Sequence, residues 1–285
     1  MINNSYDLSY INHIFPFIRK YSGNIFVIKY GGAAMQDEYL QSRVIQNIAF
    51  LYSLGFKIIL VHGGGPFIND LLHKLNIDVK FEKGIRVTDK KTIEVVEMVL
   101  SGKINKKLVS LLNQYNIPCI GLSGKDSNLA IASQLFNSTD NFVGKIDKIN
   151  SEILNLLLDN NYIPIISSLA SDINGQTYNI NADTFAGAIA ESLHAYSLIL
   201  LTDTFGIMRD CKDPSTLIKD LNFITVDELK SKSIISGGMI PKVESCIKAL
   251  KNGVKSTHII NGNFQDALLY ELLTDKRIGS KITIR

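Results

Sequence analysis

Three apolar runs in this chain each break off in glycine, and that pattern constrains the fold more than any other feature. The stretch "FVIKYGGAAM" carries apolar residues up to Lys29 and then Gly31-Gly32. "KIILVHGGG" (Lys57 to Gly65) ends in three glycines, and "IPCIGLSGKD" (Ile117 to Asp126) ends in Gly121 and Gly124. Short apolar runs rich in β-branched residues and closed by glycine read as buried strands. Helical patterns follow the first two runs, over about Asp37 to Leu54 and Pro66 to Leu75. "YIPIISSLA" and "SLILLTD" read as two more buried strands. Asp183 to Leu193 reads as a helix with Phe185, Ala186, Ile189, Ala190 and Leu193 on one face. "SGGMIPKVESCIKAL" opens another after paired glycines. Strands alternating with helices predict an α/β fold whose largely parallel sheet is covered on both faces. Ligands of such sheets collect at the carboxyl ends of the strands. The glycine loops are therefore expected to crowd around one crevice.

Composition removes several classes. The 285 residues are 46% hydrophobic, enough for one large domain or two lobes. The formal net charge is +3 with charges interspersed, so no basic stripe points to nucleic acid. The three cysteines, Cys119, Cys211 and Cys246, lack metal-ligand spacing and fit free thiols in a reducing compartment. No apolar run reaches transmembrane length, and "MINNSYDLSYINHIF" lacks the pattern of a signal or transit peptide. These features predict a soluble chain that works where it is made. Residues Tyr6 to Tyr21 form an amphipathic segment interrupted by Pro16. Its apolar positions suit a kinked helix, packed either outside the domain or on its own core.

Glycines at strand ends let the backbone approach a ligand and aim N–H groups at anionic oxygens. Neither glycine loop is a Walker P-loop or a dinucleotide fingerprint. Lys29 closes an apolar strand, where an ammonium group needs a partner or an anion. Lys242 follows Gly237, Gly238 and Pro241 near a helix start. Two ammonium groups converging on a transferring phosphoryl would offset its charge, which is most of what phosphoryl transfer requires; the bland alternative is a pair of snorkelling lysines. Asp183 stands at a predicted helix start, as an N-cap or as the group that holds those lysines. Asn179 and Asn181 alternate with Ile180 and share a face. Arg86, after Gly84 in a hairpin-like return, suits a bidentate grip on a carboxylate, or plain solvation. Asp203 ends "SLILLTD" as a nucleotide contact or a turn residue. His62 in "HGGG" matches an esterase oxyanion loop, but that reading needs a G-x-S-x-G elbow, and Lys125 occupies the last glycine of the nearest candidate. His62 is therefore expected to pack beneath the loop.

The set "KYGGAAM", "VHGGGP", "GIRVTD", "GLSGKD", "NINAD", "LLTDTFGIM" and "GGMIPKV", in that order, resembles the acetylglutamate kinases of the amino acid kinase family. Single motifs are shared with carbamate kinase, aspartokinase, glutamate kinase and UMP kinase; the combination of "GIRVTD", "NINAD" and "GGMIPKV" is more specific. The resemblance implies a three-layer αβα sandwich with a kinked N-terminal helix (1–22), an amino-acid lobe (23–194) and an ATP lobe (195–285). It implies transfer of the γ-phosphoryl of ATP to the side-chain carboxylate of N-acetyl-L-glutamate, the second step of arginine biosynthesis, with Mg²⁺ carried by the nucleotide and no protein metal ligands. By this resemblance Lys29 and Lys242 stabilise the transition state and Asp183 organises them. Gly64 and Gly65 offer backbone donors, helped by Gly31 and Gly32, while Arg86, Asn179 and Asn181 hold the substrate. Asp203, Gly237 and Gly238 lie on the nucleotide side.

The first segment also resembles the helix that links dimers into hexamers in arginine-inhibited members, whose effector site would map to Phe17, His258 and Glu271. Phe17 stands where tyrosine is common, and Arg277 departs from a Gly-Ile-Gly pattern, so like-charge repulsion would weaken arginine binding. The chain is similar to cyanobacterial and plastid forms, some of which bind the PII signalling protein. That likeness implies a plastid stroma or a bacterial cytoplasm.

Overall fold

The computed structural model describes residues 9–82, 84–138 and 140–284. Among these, eight strands form one sheet: β1 (Ile25–Tyr30), β2 (Lys57–His62), β3 (Cys119–Ser123), β4 (Ile163–Ser167), β5 (Ser197–Thr202), β6 (Asp220–Leu221), β7 (Ser256–Asn261) and β8 (Ser280–Ile282). Their order across the sheet is β6-β8-β7-β5-β1-β2-β4-β3. Every neighbouring pair is parallel except β7 with β8. Residues before His194 supply β1 to β4 on one side, and residues after it supply β5 to β8 on the other. The boundary between the two halves is the β1–β5 pairing, with Lys29 beside Leu200.

Alternation along each strand builds two apolar layers. Phe26, Ile28 and Tyr30 of β1 join Ile58, Leu60, Ile165, Ile199 and Leu201 on one face. The helices Glu38–Ser53, Asn105–Asn113 and Ala267–Leu273 cover that face through residues such as Ile45, Ile48, Leu108 and Leu268. Val27, Ile59, Val61, Ile166, Leu198 and Leu200 face the other way. There the helices Ala182–Ser192 and Met239–Lys251 pack through Phe185, Ala186, Ile189, Val243 and Leu250. Each fully buried side chain of this kind contributes about 1.5–3 kcal/mol. The result is the expected αβα sandwich. Lys29 shares parity with Val27, so strand geometry alone places its side chain under the helix Ala182–Ser192.

Some elements differ from the sequence reading. "YIPIISSLA" is two strands: β4 ends at Ser167, and Leu169–Ser171 joins Ala130–Gln134, Val143–Ile149 and Thr177–Ile180 in a small closed barrel. The break falls at buried Ser168, whose carbonyl accepts from Ile180 N at 3.0 Å and so turns the chain towards the barrel. The helix Ala182–Ser192 is capped by Asn181 and not by Asp183: Asn181 Oδ1 accepts from Asp183 N at 2.9 Å and Thr184 N at 3.1 Å. Asp183 instead lies in the first turn, with its side chain free to point elsewhere. The first helix spans Ser9–Tyr21 with Pro16 inside it, and lays Ile14, Phe17 and Tyr21 on the core. The predicted start of that segment, Tyr6 to Leu8, lies outside the described residues.

Candidate active site

Asp183 is 4% exposed and Lys29 8%. Lys29 Nζ lies 3.1 Å from Asp183 Oδ1, and Lys242 Nζ lies 2.6 Å from Oδ2. The lysines therefore do not snorkel to solvent. Each takes one oxygen of a single carboxylate. Burial pushes the Asp183 carboxyl up, and the two ammonium groups more than offset this and hold it below the usual aspartate value. The cluster carries a net positive charge, since one carboxylate faces two cations. Lys242 sits in the first turn of Met239–Lys251 and Asp183 in the first turn of Ala182–Ser192, so two helix N-termini meet here. A third, that of Gly65–Lys74, stands beside them: a Cβ on Gly63 would lie 3.4 Å from Ala182 Cβ. Three N-termini and two ammonium groups make a strongly anion-attracting crevice.

The glycines divide by what a side chain would meet. At Gly31 a Cβ would crowd Lys29 Nζ at 3.1 Å. Gly32 has φ +80°, and a Cβ there would collide with the carboxylate of Asp203, which follows β5. At Gly64 a side chain would strike Ile104 and Leu100, brought close by the π-helical turn Met98–Ile104. Gly65, Gly237 and Gly238 differ, for a Cβ on any of them would meet nothing within 4 Å. Ligand access thus accounts for only some of these glycines; Gly64 is explained by packing.

Arg86 closes the other side. It lies on a short hairpin, Phe81–Glu82 with Ile85–Arg86, as its sequence context predicts. The guanidinium is buried, at 7% exposure, over the Phe81 ring. Nη2 donates to Asn69 Oδ1 at 2.5 Å and to Gly65 O at 3.3 Å. Nη1 is buried with no hydrogen-bond partner among the described residues. Burial lowers the Arg86 pKa. A desolvated cation with an unused donor is relieved by an arriving carboxylate. Asn179 reaches the same corner: its Nδ2 donates to Thr88 Oγ1 at 3.2 Å, and Thr88 Oγ1 donates to Arg86 O at 3.0 Å. Asn181 is different, because its Oδ1 is engaged by the helix it caps. Sequence reasoning missed Asn69 and Thr88. Asn69 stands one helical turn beyond Gly65, a spacing that could have flagged it as a neighbour of the loop.

His62 is wholly buried under the loop. Nδ1 lies 3.1 Å from Gly63 O and Nε2 lies 3.2 Å from Asn105 Nδ2. A neutral imidazole protonated at Nδ1 satisfies both contacts. Burial lowers its pKa to about 4, against a smaller opposite effect of the Gly63 carbonyl. His258 and Glu271 are brought together, with Nδ1 2.7 Å from Oε1, while Glu271 Oε2 accepts from Ile278 N and Gly279 N. Phe17 packs on the core layer that Leu268 and Leu272 share, and its helix touches Ala267–Leu273. Arg277 is paired with Asp220.

The His62 geometry has a pH signature. The unfolded chain takes up a proton near pH 6.5, whereas folded His62 does so only near pH 4. Stability must therefore fall as pH drops through that window. His62→Gln is expected to flatten the fall by up to about 1.4 kcal/mol per pH unit, measured by urea unfolding across the window.

Residues 24–261 match the profile of the amino acid kinase family. Acetylglutamate kinase of Gracilaria tenuistipitata var. liui is 55% identical over 285 residues, covering all of both chains. That of Thermosynechococcus vestitus is 48% identical, over 99% of this chain and 96% of its own. Among solved structures, N-acetylglutamate synthase from Neisseria gonorrhoeae, complexed with coenzyme A and N-acetyl-glutamate, superposes with a TM-score of 0.85 at 25% identity over 97% of this chain. This chain spans 63% of that structure's length. Giardia carbamate kinase shares the fold, with a TM-score of 0.67 at 17% identity over 93% of this chain and all of its own. The chain belongs to the amino acid kinase family, with acetylglutamate kinases as its full-length relatives.

Proposed function

We propose that the chain phosphorylates the side-chain carboxylate of N-acetyl-L-glutamate with ATP, forming an acyl phosphate in arginine biosynthesis. The observation that carries this reading is the arrangement of cations about the glycine loop. Lys29 and Lys242 converge on Asp183 at one end, and Arg86, with an unused Nη1, stands at the other. The two ends suit the two carboxylates of an acylated glutamate. Full-length relatives named acetylglutamate kinase support the same substrate.

ATP supplies the phosphoryl group, and Mg²⁺ accompanies its phosphates. Lys29 and Lys242 place positive charge where the transferring group and the leaving phosphate gather negative charge. Asp183 keeps both ammonium groups aimed. Open space over Gly237 and Gly238 at a helix N-terminus suits nucleotide phosphates, with Asp203 on the same side. Gly64 and Gly65 N–H groups, with Gly31 and Gly32, serve the reacting oxygens. Arg86 and Asn179 hold the α-carboxylate, and Asn181 supports them by fixing the helix start. The acceptor carboxylate is already a nucleophile, so no general base is required. The amino-acid and ATP lobes of this reading meet at the β1–β5 pairing.

Feedback by arginine belongs to the same proposal, supported by the buried His258–Glu271 pair beside the N-terminal helix. The Arg277–Asp220 pair moderates the like charge that would oppose an arginine ligand. Phe15, exposed on the outer side of that helix, offers a contact for joining dimers into a hexamer.

The test is turnover with Mg²⁺, ATP and hydroxylamine, comparing N-acetylglutamate with glutamate, aspartate and carbamate. Hydroxamate is expected only from N-acetylglutamate; product from glutamate or aspartate instead would reassign the substrate. Lys29→Ala and Lys242→Ala should each lower kcat by about a hundredfold or more, as for loss of a preorganised oxyanion donor. Arg86→Ala should raise the KM for N-acetylglutamate by roughly ten- to hundredfold with a smaller effect on kcat. Millimolar arginine should slow the wild-type enzyme and not His258→Ala; an unchanged wild-type rate would remove the feedback reading.

A further inference from the structure

The loop "GLSGKD" has no part in the chemistry above, yet its lysine closes a half-exposed polar cross-brace on a buried threonine. Lys125 Nζ lies 2.6 Å from Glu97 Oε1 and donates to Thr177 Oγ1 at 3.0 Å. Thr177 Oγ1 donates in turn to Glu97 Oε2 at 3.3 Å. The three side chains come from three separate elements. Glu97 ends the helix Lys90–Glu97, Thr177 opens the strand Thr177–Ile180, and Lys125 follows β3.

The loop itself is rigidly tied. Ser123 N and Oγ both donate to Asp126 Oδ2, at 2.6 and 2.7 Å. Gly124 N donates to Leu169 O at 2.7 Å, and a Cβ on Gly124 would collide with that carbonyl. Lys125 therefore projects from a fixed backbone.

What the brace connects gives it meaning. The helix ending at Glu97 begins just after Arg86 and Thr88, with Asp89 as its N-cap. The strand opening at Thr177 carries Asn179 two residues on, on the same side. At the site, Asn179 Nδ2 meets Thr88 Oγ1. Helix and strand are thus joined at both ends, by Asn179–Thr88 at the substrate corner and by Glu97–Lys125–Thr177 at the far end. Without Lys125 the only one of these polar links left at the far end is the 3.3 Å Thr177–Glu97 hydrogen bond, and the Glu97 carboxylate loses its cation, so the two elements are held less firmly there.

We propose that Lys125 is a positioning residue that fixes the spacing between Arg86 and Asn179, and so sets affinity for the substrate's α-carboxylate. This rests on the reading of Arg86 and Asn179 given above. It touches neither ATP nor the reacting atoms. Its loss should therefore act on one substrate alone.

Lys125→Met, Lys125→Arg and Thr177→Val test this against wild type in two ways. The first is steady-state kinetics; the second is hydrogen exchange of the backbone over residues 85–97 and 177–180. Lys125→Met should raise the KM for N-acetylglutamate about tenfold, with kcat and the KM for ATP within about twofold of wild type. Amides in both segments should exchange faster. Thr177→Val, which removes both brace contacts of the strand, should show the same pattern at least as strongly, and Lys125→Arg should restore most of the affinity. Unchanged KM and exchange in Lys125→Met would overturn the proposal, as would equal rises in both KM values. Should Lys125→Met not fold, the same comparison is made with Thr177→Val alone. A wild-type chain inactive on N-acetylglutamate would refute the substrate assignment, and the exchange data would still decide whether the brace holds the two segments.

Discussion

One buried carboxylate organises this protein. Asp183 pairs one ammonium group with each oxygen, Lys29 from the central strand β1 and Lys242 from a helix that packs against its own. Taking three charges out of water is costly, and the attraction among them repays it only with close geometry. The surroundings supply that geometry. Asn181 caps the helix and fixes where Asp183 begins its turn. The helix Ala182–Ser192 packs against Met239–Lys251, with Gly187 facing Ser245. The surplus positive charge is left facing the crevice, which is the physical basis for binding anions there.

The same arrangement explains why the site straddles the middle of the sheet. β1 and β5 are neighbours in space but are separated by some hundred and seventy residues of chain. Lys29 comes from one half and Lys242 from the other, with Asp183 between them in sequence. A group held by both lysines touches both halves at once. Charge stabilisation is therefore coupled to the relative placement of the halves, as expected of an enzyme that must bring two anionic substrates together.

Much of this was legible in the sequence because strand parity and glycine placement are local properties. The αβα architecture follows from apolar runs alternating with helical patterns. Lys29 stood out as a polar residue closing an apolar strand, and Arg86 as an arginine in a hairpin return. Non-local features were not legible. The small barrel splits "YIPIISSLA" at Ser168 because of pairing with Thr177–Ile180, which no window around Ser168 reveals. The Asn181 cap displaced Asp183 because both residue types cap well, and only the tertiary demand of the two lysines decides between them. That a side chain at Gly64 would strike Ile104 and Leu100, some forty residues away, was likewise not legible. Asn69 and Thr88, which orient Arg86 and Asn179, carry no motif of their own.

In the proposed reaction Asp183 acts through the two lysines and not on substrate directly. The most direct measurement is kcat for Asp183→Asn in the wild-type background and again in a Lys29→Ala/Lys242→Ala background. A large loss is expected in the first and almost no further loss in the second, since the carboxylate would have nothing left to organise. An equal fold-loss in both backgrounds would contradict it and give Asp183 a role of its own in the reaction.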